Sequence, residues 1–190
     1  MTEKNAVNNE QFIKPTQKWV DALVVGLNLC PFAKRELVKD RVRFKVTHAN
    51  NQEALLADLL TELELLNENY DIETTLLIHP NILQDFFEYN QFLSDADDLL
   101  IRLHLEGIYQ IASFHPNYLF GGTTEEDAEN YTNRSPFPML HLIRETSLER
   151  AIQNYPNVDQ IPEDNISLMN KLGRLKLQTL LQDCYSDVEK

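Results

Sequence analysis

The sequence predicts a single-domain α/β sandwich. It should have about four strands, the first of them parallel and joined by helical crossovers, with an N-terminal and a C-terminal helix flanking the sheet. Three observations predict it. Short runs of strand character alternate with longer stretches of three-four apolar spacing, the pattern of strands separated by crossover helices. A chain of 190 residues, 43% hydrophobic and 25% charged, can bury one sizeable core. Finally, three apolar runs stop in the same way, at His48-Ala49-Asn50, His79-Pro80-Asn81 and His115-Pro116-Asn117. Proline lacks an N–H and restricts its predecessor, so a strand ends there.

Taken in order, residues 1–10 are polar and Asn-rich and are expected to be a flexible N-terminus, with residues 11–190 forming the domain. Trp19, Val20, Leu23, Val24 and Leu27 recur at helical spacing over residues 16–29, and Pro31 closes that segment. Val42, Phe44 and Val46 alternate with Arg43, Lys45 and Thr47, which is a half-exposed strand. Leu55, Leu56, Leu59, Leu60, Leu63 and Leu66 give residues 51–67 an apolar helical stripe. Residues 74–78 form a short apolar strand. Residues 83–105 read as one helix, or two with a break near Ser94-Asp95, ended by Gly107. A third strand is expected over 108–114 and a fourth, of either direction, over 139–144. Thr146 and Glu149 have capping-box spacing at the start of a helix through Tyr155. A last helix is expected over 165–184.

The net charge of −13 is unevenly spread. Residues 1–50 hold nine Lys/Arg against five Asp/Glu, whereas residues 51–133 hold one against seventeen. So acidic a protein is not expected to bind nucleic acid, which needs cations to meet phosphates. The basic run Lys34, Arg35, Lys39, Arg41, Arg43 and Lys45 is either a local anion site or a solvated face balancing the acidic helices. No apolar stretch is long enough to span a membrane and no leader is legible, so a cytoplasmic protein with no membrane partner is expected. Cys30 and Cys184 make no disulfide framework.

The candidate site follows from the strand ends. In open α/β sheets ligands bind beyond the carboxyl ends of parallel strands, where His48, His79 and His115 should stand. Asn50 precedes Glu53 by three and Asn81 precedes Gln84 by three, so each is a candidate helix cap beside its histidine. The plainer reading is that His-Pro-Asn is turn chemistry alone. Gly121 and Gly122 let the loop after His115 and Asn117 approach a ligand closely. Arg134, beside Ser135, is free to hold a carboxylate or phosphate in bidentate fashion, or else to form a surface salt bridge. On a strand, His141 and Arg144 face opposite sides. Cys30 is either a thiolate nucleophile activated by Lys34, Arg35 or a histidine, or a small buried hydrophobe.

The candidate catalytic residues are therefore His115, His141 and Cys30. The candidate ligand pocket is built from His79, Asn117, Gly121, Gly122, Arg134, Ser135 and Arg144. Three histidines suit zinc, but no short His-x-His or Cys-x-x-Cys spacing marks a metal centre, and the sequence names no cofactor. A nucleophile elbow, a P-loop and a dinucleotide fingerprint are all absent.

The segments Asn28-Leu29-Cys30-Pro31-Phe32-Ala33, His115-Pro116-Asn117-Tyr118 with Phe120-Gly121, and Asn133-Arg134-Ser135-Pro136 leading to Leu140-His141-Leu142-Ile143-Arg144-Glu145 resemble an uncharacterised, mainly proteobacterial family. That family is catalogued as a domain of unknown function, and the likeness runs from about residue 16 to residue 173. It implies a bacterial protein of unsettled activity and supplies no catalytic residue. Two expectations remain. One is a site for a small anion or small metabolite at strand ends, with His115 or His141 as general base if it is enzymatic. The other is a non-catalytic interaction or ligand-sensing module that uses the acidic helical face.

Overall fold

The computed structural model describes residues 3–186. Its elements run in the order α1 (Glu3–Trp19), a π-helical turn (Val20–Val25), α2 (Ala33–Val38), β1 (Val42–Val46), α3 (Gln52–Glu68), β2 (Thr74–Ile78), α4 (Phe86–Arg102), β3 (Tyr109–Phe114), a 3-10 turn (Ala128–Thr132), β4 (Met139–Arg144), α5 (Glu145–Gln153), a short 3-10 turn (Val158–Gln160), α6 (Ile161–Leu172) and α7 (Arg174–Asp183).

The four strands form one sheet in the order β1-β2-β4-β3. β1 and β2 are parallel across the α3 crossover, and β4 enters antiparallel between β2 and β3. β1, β2 and β3 thus share one direction, and their carboxyl ends lie on one edge. Both Ile78 and Phe114 pair with Met139, so His79 and His115 flank the first residue of β4. This is the shared edge that their common punctuation predicts.

Period-two alternation assigns each strand residue to a face. Leu77, Leu140, Leu142 and Tyr109 face α3 and α4, where Leu55, Leu59, Leu63, Tyr89 and Phe92 complete a sealed core. Val46, Leu76, Ile78 and Met139 face the other way, onto Trp19, Val20, Leu23 and Cys184 from the N-terminal helical segment and α7. Trp19 also donates its indole N–H to the Arg134 carbonyl (2.9 Å), which ties α1 to the turn before β4.

Several helix boundaries differ from the sequence reading. α3 is capped by Asn51, whose Oδ1 accepts from the Ala54 N–H (2.8 Å), and not by Asn50. α4 begins after Asp85, which accepts from the amides of Phe87 and Glu88, and Asn81 caps nothing. α4 runs unbroken through Ser94 and Asp95 and ends before Gly107. The Thr146/Glu149 capping box does not form, because α5 starts at Glu145 with no side-chain cap. Gly173, at φ +78°, splits the expected last helix into α6 and α7. The first helix starts at Glu3 and loosens into the π-helical turn, as wider turns often do near functional sites.

Gly26 closes that turn by donating to the Asp21 carbonyl (2.9 Å), and a Cβ there would collide with the Ala22 carbonyl oxygen. Gly26→Ala should therefore destabilise the protein by about 1–3 kcal/mol. Gly121→Ala, where a Cβ meets open space, should stay within about 0.5 kcal/mol. Urea unfolding of both variants checks this, and equal losses would contradict the packing assigned to the π-helical turn.

Candidate functional site

The polar residues named from the sequence fall into three places. The first is a buried knot at the carboxyl edge. His79 and His115 are fully buried and both pack against Tyr89, with ring centroids 5.7 and 5.1 Å from it. His115 bonds the Leu83 carbonyl through Nε2 (3.1 Å) and accepts the Asn117 amide at Nδ1 (3.0 Å). Both ring nitrogens are therefore spent on backbone, in the neutral tautomer protonated at Nε2. His79 bonds the Ile82 carbonyl through Nδ1 (3.1 Å), which leaves a buried Nε2 lone pair without a partner. Burial lowers the pKa of His79 to about 4 and also lowers that of His115. Ser135 is buried and donates to the Phe137 carbonyl (2.7 Å). His48 stands apart, exposed, against Asn9 Oδ1 (2.8 Å).

The second place is a cleft of about 510 Å³ just outside that knot, lined by Asn117, Leu119, Tyr131, Arg134 and Arg174. The sequence places His115 and Arg134 in one pocket with residues 117–122 as its wall. The structure brings Pro116, Asn117, Leu119 and Arg134 to the cleft but buries His115 beneath it, and Gly121 and Gly122 line neither cavity. What shapes the loop is Asn130, a buried side chain that sequence reasoning misses. Its Oδ1 accepts from Phe120 N and Thr123 Oγ1, and its Nδ2 donates to the Thr124 carbonyl (2.7 Å). A lone asparagine inside a polar stretch carries no sequence signal of such a role.

The third place is a larger cavity of about 690 Å³ on the sheet face opposite α3 and α4. Trp19 covers the part of this face near the carboxyl edge, and α2 and α5 roof the rest. Neither α2 nor α5 buries a residue fully, so they cover the sheet without filling the space. His141 and Thr74 line the floor and Cys30, Phe32 and Tyr155 the wall. Two of the three candidate catalytic residues therefore share one cavity.

The hydrogen bonds at His141 fix its state. Thr74 Oγ1 has one proton and lies 2.5 Å from the Leu142 carbonyl, which can only accept it. The Thr74 oxygen must then accept from His141 Nε2, 2.6 Å away. His141 is thus protonated at Nε2, and its Nδ1 lone pair has no protein partner and is not sealed from the cavity. Burial lowers its pKa to about 4, so it stays neutral at pH 7. Burial also raises the Cys30 pKa, against the opposing pull of the Phe32 and Ala33 amides, so this side chain is a thiol at neutral pH.

The arginines are largely committed. Arg144 spreads its guanidinium over the carbonyls of Leu66, Asn69 and Ile72 and the Tyr109 hydroxyl (2.8 Å), so it ties the end of α3 to β4. Half of the basic run is paired: Arg43 forms a two-point pair with buried Glu62 (2.8 and 3.1 Å), Arg41 pairs with Glu36 and Glu73, and Arg35 pairs with Glu36. Among the described residues no three His, Cys, Asp or Glu side chains are placed to hold a metal ion, and no helix is long and apolar enough to cross a membrane.

The chain belongs to the family described as "Protein of unknown function (DUF1415)", whose model matches residues 11–179. No curated protein and no solved structure matches it.

The buried histidines make stability depend on pH. His79 and His141 are neutral when folded down to about pH 4, whereas the unfolded chain protonates them below 6.5. Their contribution is complete above pH 6.5 and is lost as pH falls toward 4, by up to about 1.4 kcal/mol per pH unit for each histidine. His79→Phe should flatten the slope of unfolding free energy against pH in that window by about this amount. Denaturant titrations from pH 7 to 4 check it, and parallel slopes for both proteins would show that His79 is not buried neutral.

Proposed function

We propose that this protein binds a small metabolite in the cavity between the sheet and helices α2 and α5, and that its part is recognition before catalysis. The observation that carries the reading is the free Nδ1 lone pair of His141 in the cavity floor, held in one tautomer by Thr74. A volume of about 690 Å³ suits a small organic ligand. The surrounding Trp19, Val24, Leu37, Phe114 and Ile143 side chains favour an apolar body. His141 then supplies a single directional acceptor for a hydroxyl, amine or protonated acid on that ligand.

Binding is favoured over turnover by the state of the two reactive groups. A general base works best with a pKa near the operating pH, and His141 at about 4 lies well below it. Cys30 is kept in its less nucleophilic thiol form by burial. Both groups are suited to contact and neither is activated. The strand-end pair His79 and His115 supports no separate site, since the ring nitrogens of His115 serve its own loop and the free lone pair of His79 is sealed off.

Trp19 lines this cavity and is the single tryptophan of the chain, so its emission reports occupancy. Titration with the apolar anion 8-anilinonaphthalene-1-sulfonate, followed by competition from a metabolite panel, should reveal saturable binding. His141→Leu should weaken the competing ligand about tenfold, the effect of one lost hydrogen bond of roughly 1.4 kcal/mol. The folding stability of the variant should change by less than about 1.5 kcal/mol. Unchanged affinity in His141→Leu would remove this side chain from the site.

A further inference from the structure

We infer that the cleft beside Arg134 is a second, independent site that takes a free α-amino acid with a large apolar side chain. It lies at the carboxyl edge, apart from the cavity beneath α2 and α5, and shares no lining residue with it.

The starting observation is an uncompensated charge. Arg134 is only 8% exposed, yet among the described residues it forms no ion pair. Its Nε donates to the Tyr118 carbonyl (3.3 Å) and its Nη2 to the Glu125 carbonyl (3.1 Å), while the guanidinium lies 4.7 Å from the Tyr131 ring centroid. Neutral carbonyls and a ring satisfy donors but leave a net positive charge in poorly solvated surroundings, which favours an anion. Nη1 has no protein partner and is not sealed, and the side chain lines the cleft. Arg174 stands on the same cleft, its Nη1 on Glu126 and its Nη2 without a protein partner and not sealed. Two guanidiniums thus line one space with unspent N–H groups, the donors that a carboxylate accepts from.

The negative groups on the same cleft decide the class of ligand. Asp85 and Glu125 also line it, and the second oxygen of Asp85 is left over after its first caps α4. A phosphate dianion would face these carboxylates as like charges. A ligand carrying a carboxylate and an ammonium matches both signs at once. Leu119, Phe87, Leu181 and Tyr185 then supply an apolar wall. The cleft volume of about 510 Å³ leaves room for a long or aromatic side chain.

A thermal-shift series on the intact protein tests this. L-phenylalanine, L-leucine and L-tryptophan should each raise Tm, by roughly 5–10 °C at a hundredfold excess over Kd. The N-acetyl derivative lacks the amine and the amide derivative lacks the carboxylate, so neither should shift Tm at the same concentration. Arg174→Gln should abolish most of the shift. Asp85→Asn keeps a competent helix cap but removes the charge, and should reduce the shift without lowering the unliganded Tm appreciably. Arg134→Lys should also lose the shift, and if it fails to fold, the Arg174 and Asp85 variants decide. The inference is overturned if none of the three amino acids moves Tm or if the blocked derivatives act equally well. It is also overturned if inorganic phosphate matches them, which would mark a plain anion site. Binding of the sulfonate probe near Trp19 would be untouched by any of these results.

Discussion

The Tyr89 hydroxyl holds the seam on which the rest of the structure depends. It donates to the Met139 carbonyl (2.8 Å) and accepts from the Phe114 amide (3.1 Å), so one side chain of α4 closes the point where β4 enters beside β3. Its ring is fully buried and packs against both His79 and His115, which fixes both turns against the same strand end. A buried hydroxyl that makes both its bonds is stabilising, and one that loses them costs about 1–3 kcal/mol in desolvation. With Tyr89 in place, the His-Pro-Asn turns are consumed as architecture. The edge where ligands enter many α/β sheets is therefore sealed at its centre, and space for a ligand opens beside it and on the opposite face.

That displacement explains the state of the polar groups. The knot at the edge is dry, and dry histidines are neutral histidines. The same is true of His141, but its second nitrogen looks into a cavity and not into packed protein. The cavity exists because the two faces of the sheet are covered differently. α3 and α4 drive leucines and aromatic rings into one face, whereas α2 and α5 are short and bury none of their own side chains fully against the other. Arg144 and Arg134 contribute by a shared device: each guanidinium gathers backbone carbonyls, Arg144 from the end of α3 and the segment after it and Arg134 from the loop that follows β3, and so fixes the walls of one of the two concavities.

All four strands are legible in the sequence to within a residue or two, because period-two alternation and abrupt His-x-Asn endings are local properties. The direction and position of β4 are not, since nothing within Met139–Arg144 says which neighbours it pairs with. The helix caps are misplaced for a physical reason. Asn50 and Asn51 are equivalent candidates by type, and the segment after His79 wraps back to bond its ring at Ile82 before α4 can start at Phe86. Gly173 splits a long apolar pattern that reads as one helix, because its positive φ breaks the helix where the spacing alone continues it. For the site, Cys30, His141 and Arg134 are legible by residue type. That Cys30 and His141 meet in one cavity depends on β4 lying between β2 and β3, a non-local fact. That His115 is spent on the Asn117 amide and the Leu83 carbonyl depends on the loop closing over it.

His141 is neutral, protonated at Nε2, and presents its Nδ1 lone pair to an accessible cavity. Long-range proton–nitrogen correlation NMR of the imidazole, with His141→Gln to assign the signal, measures this directly. At pH 7 the His141 ring should show a protonated Nε2 and an unprotonated Nδ1, and no imidazolium signature down to about pH 5. Its Nδ1 resonance alone should move when a ligand fills the cavity. A ring protonated at Nδ1, or one that titrates near its ordinary value of 6.5, would contradict the account.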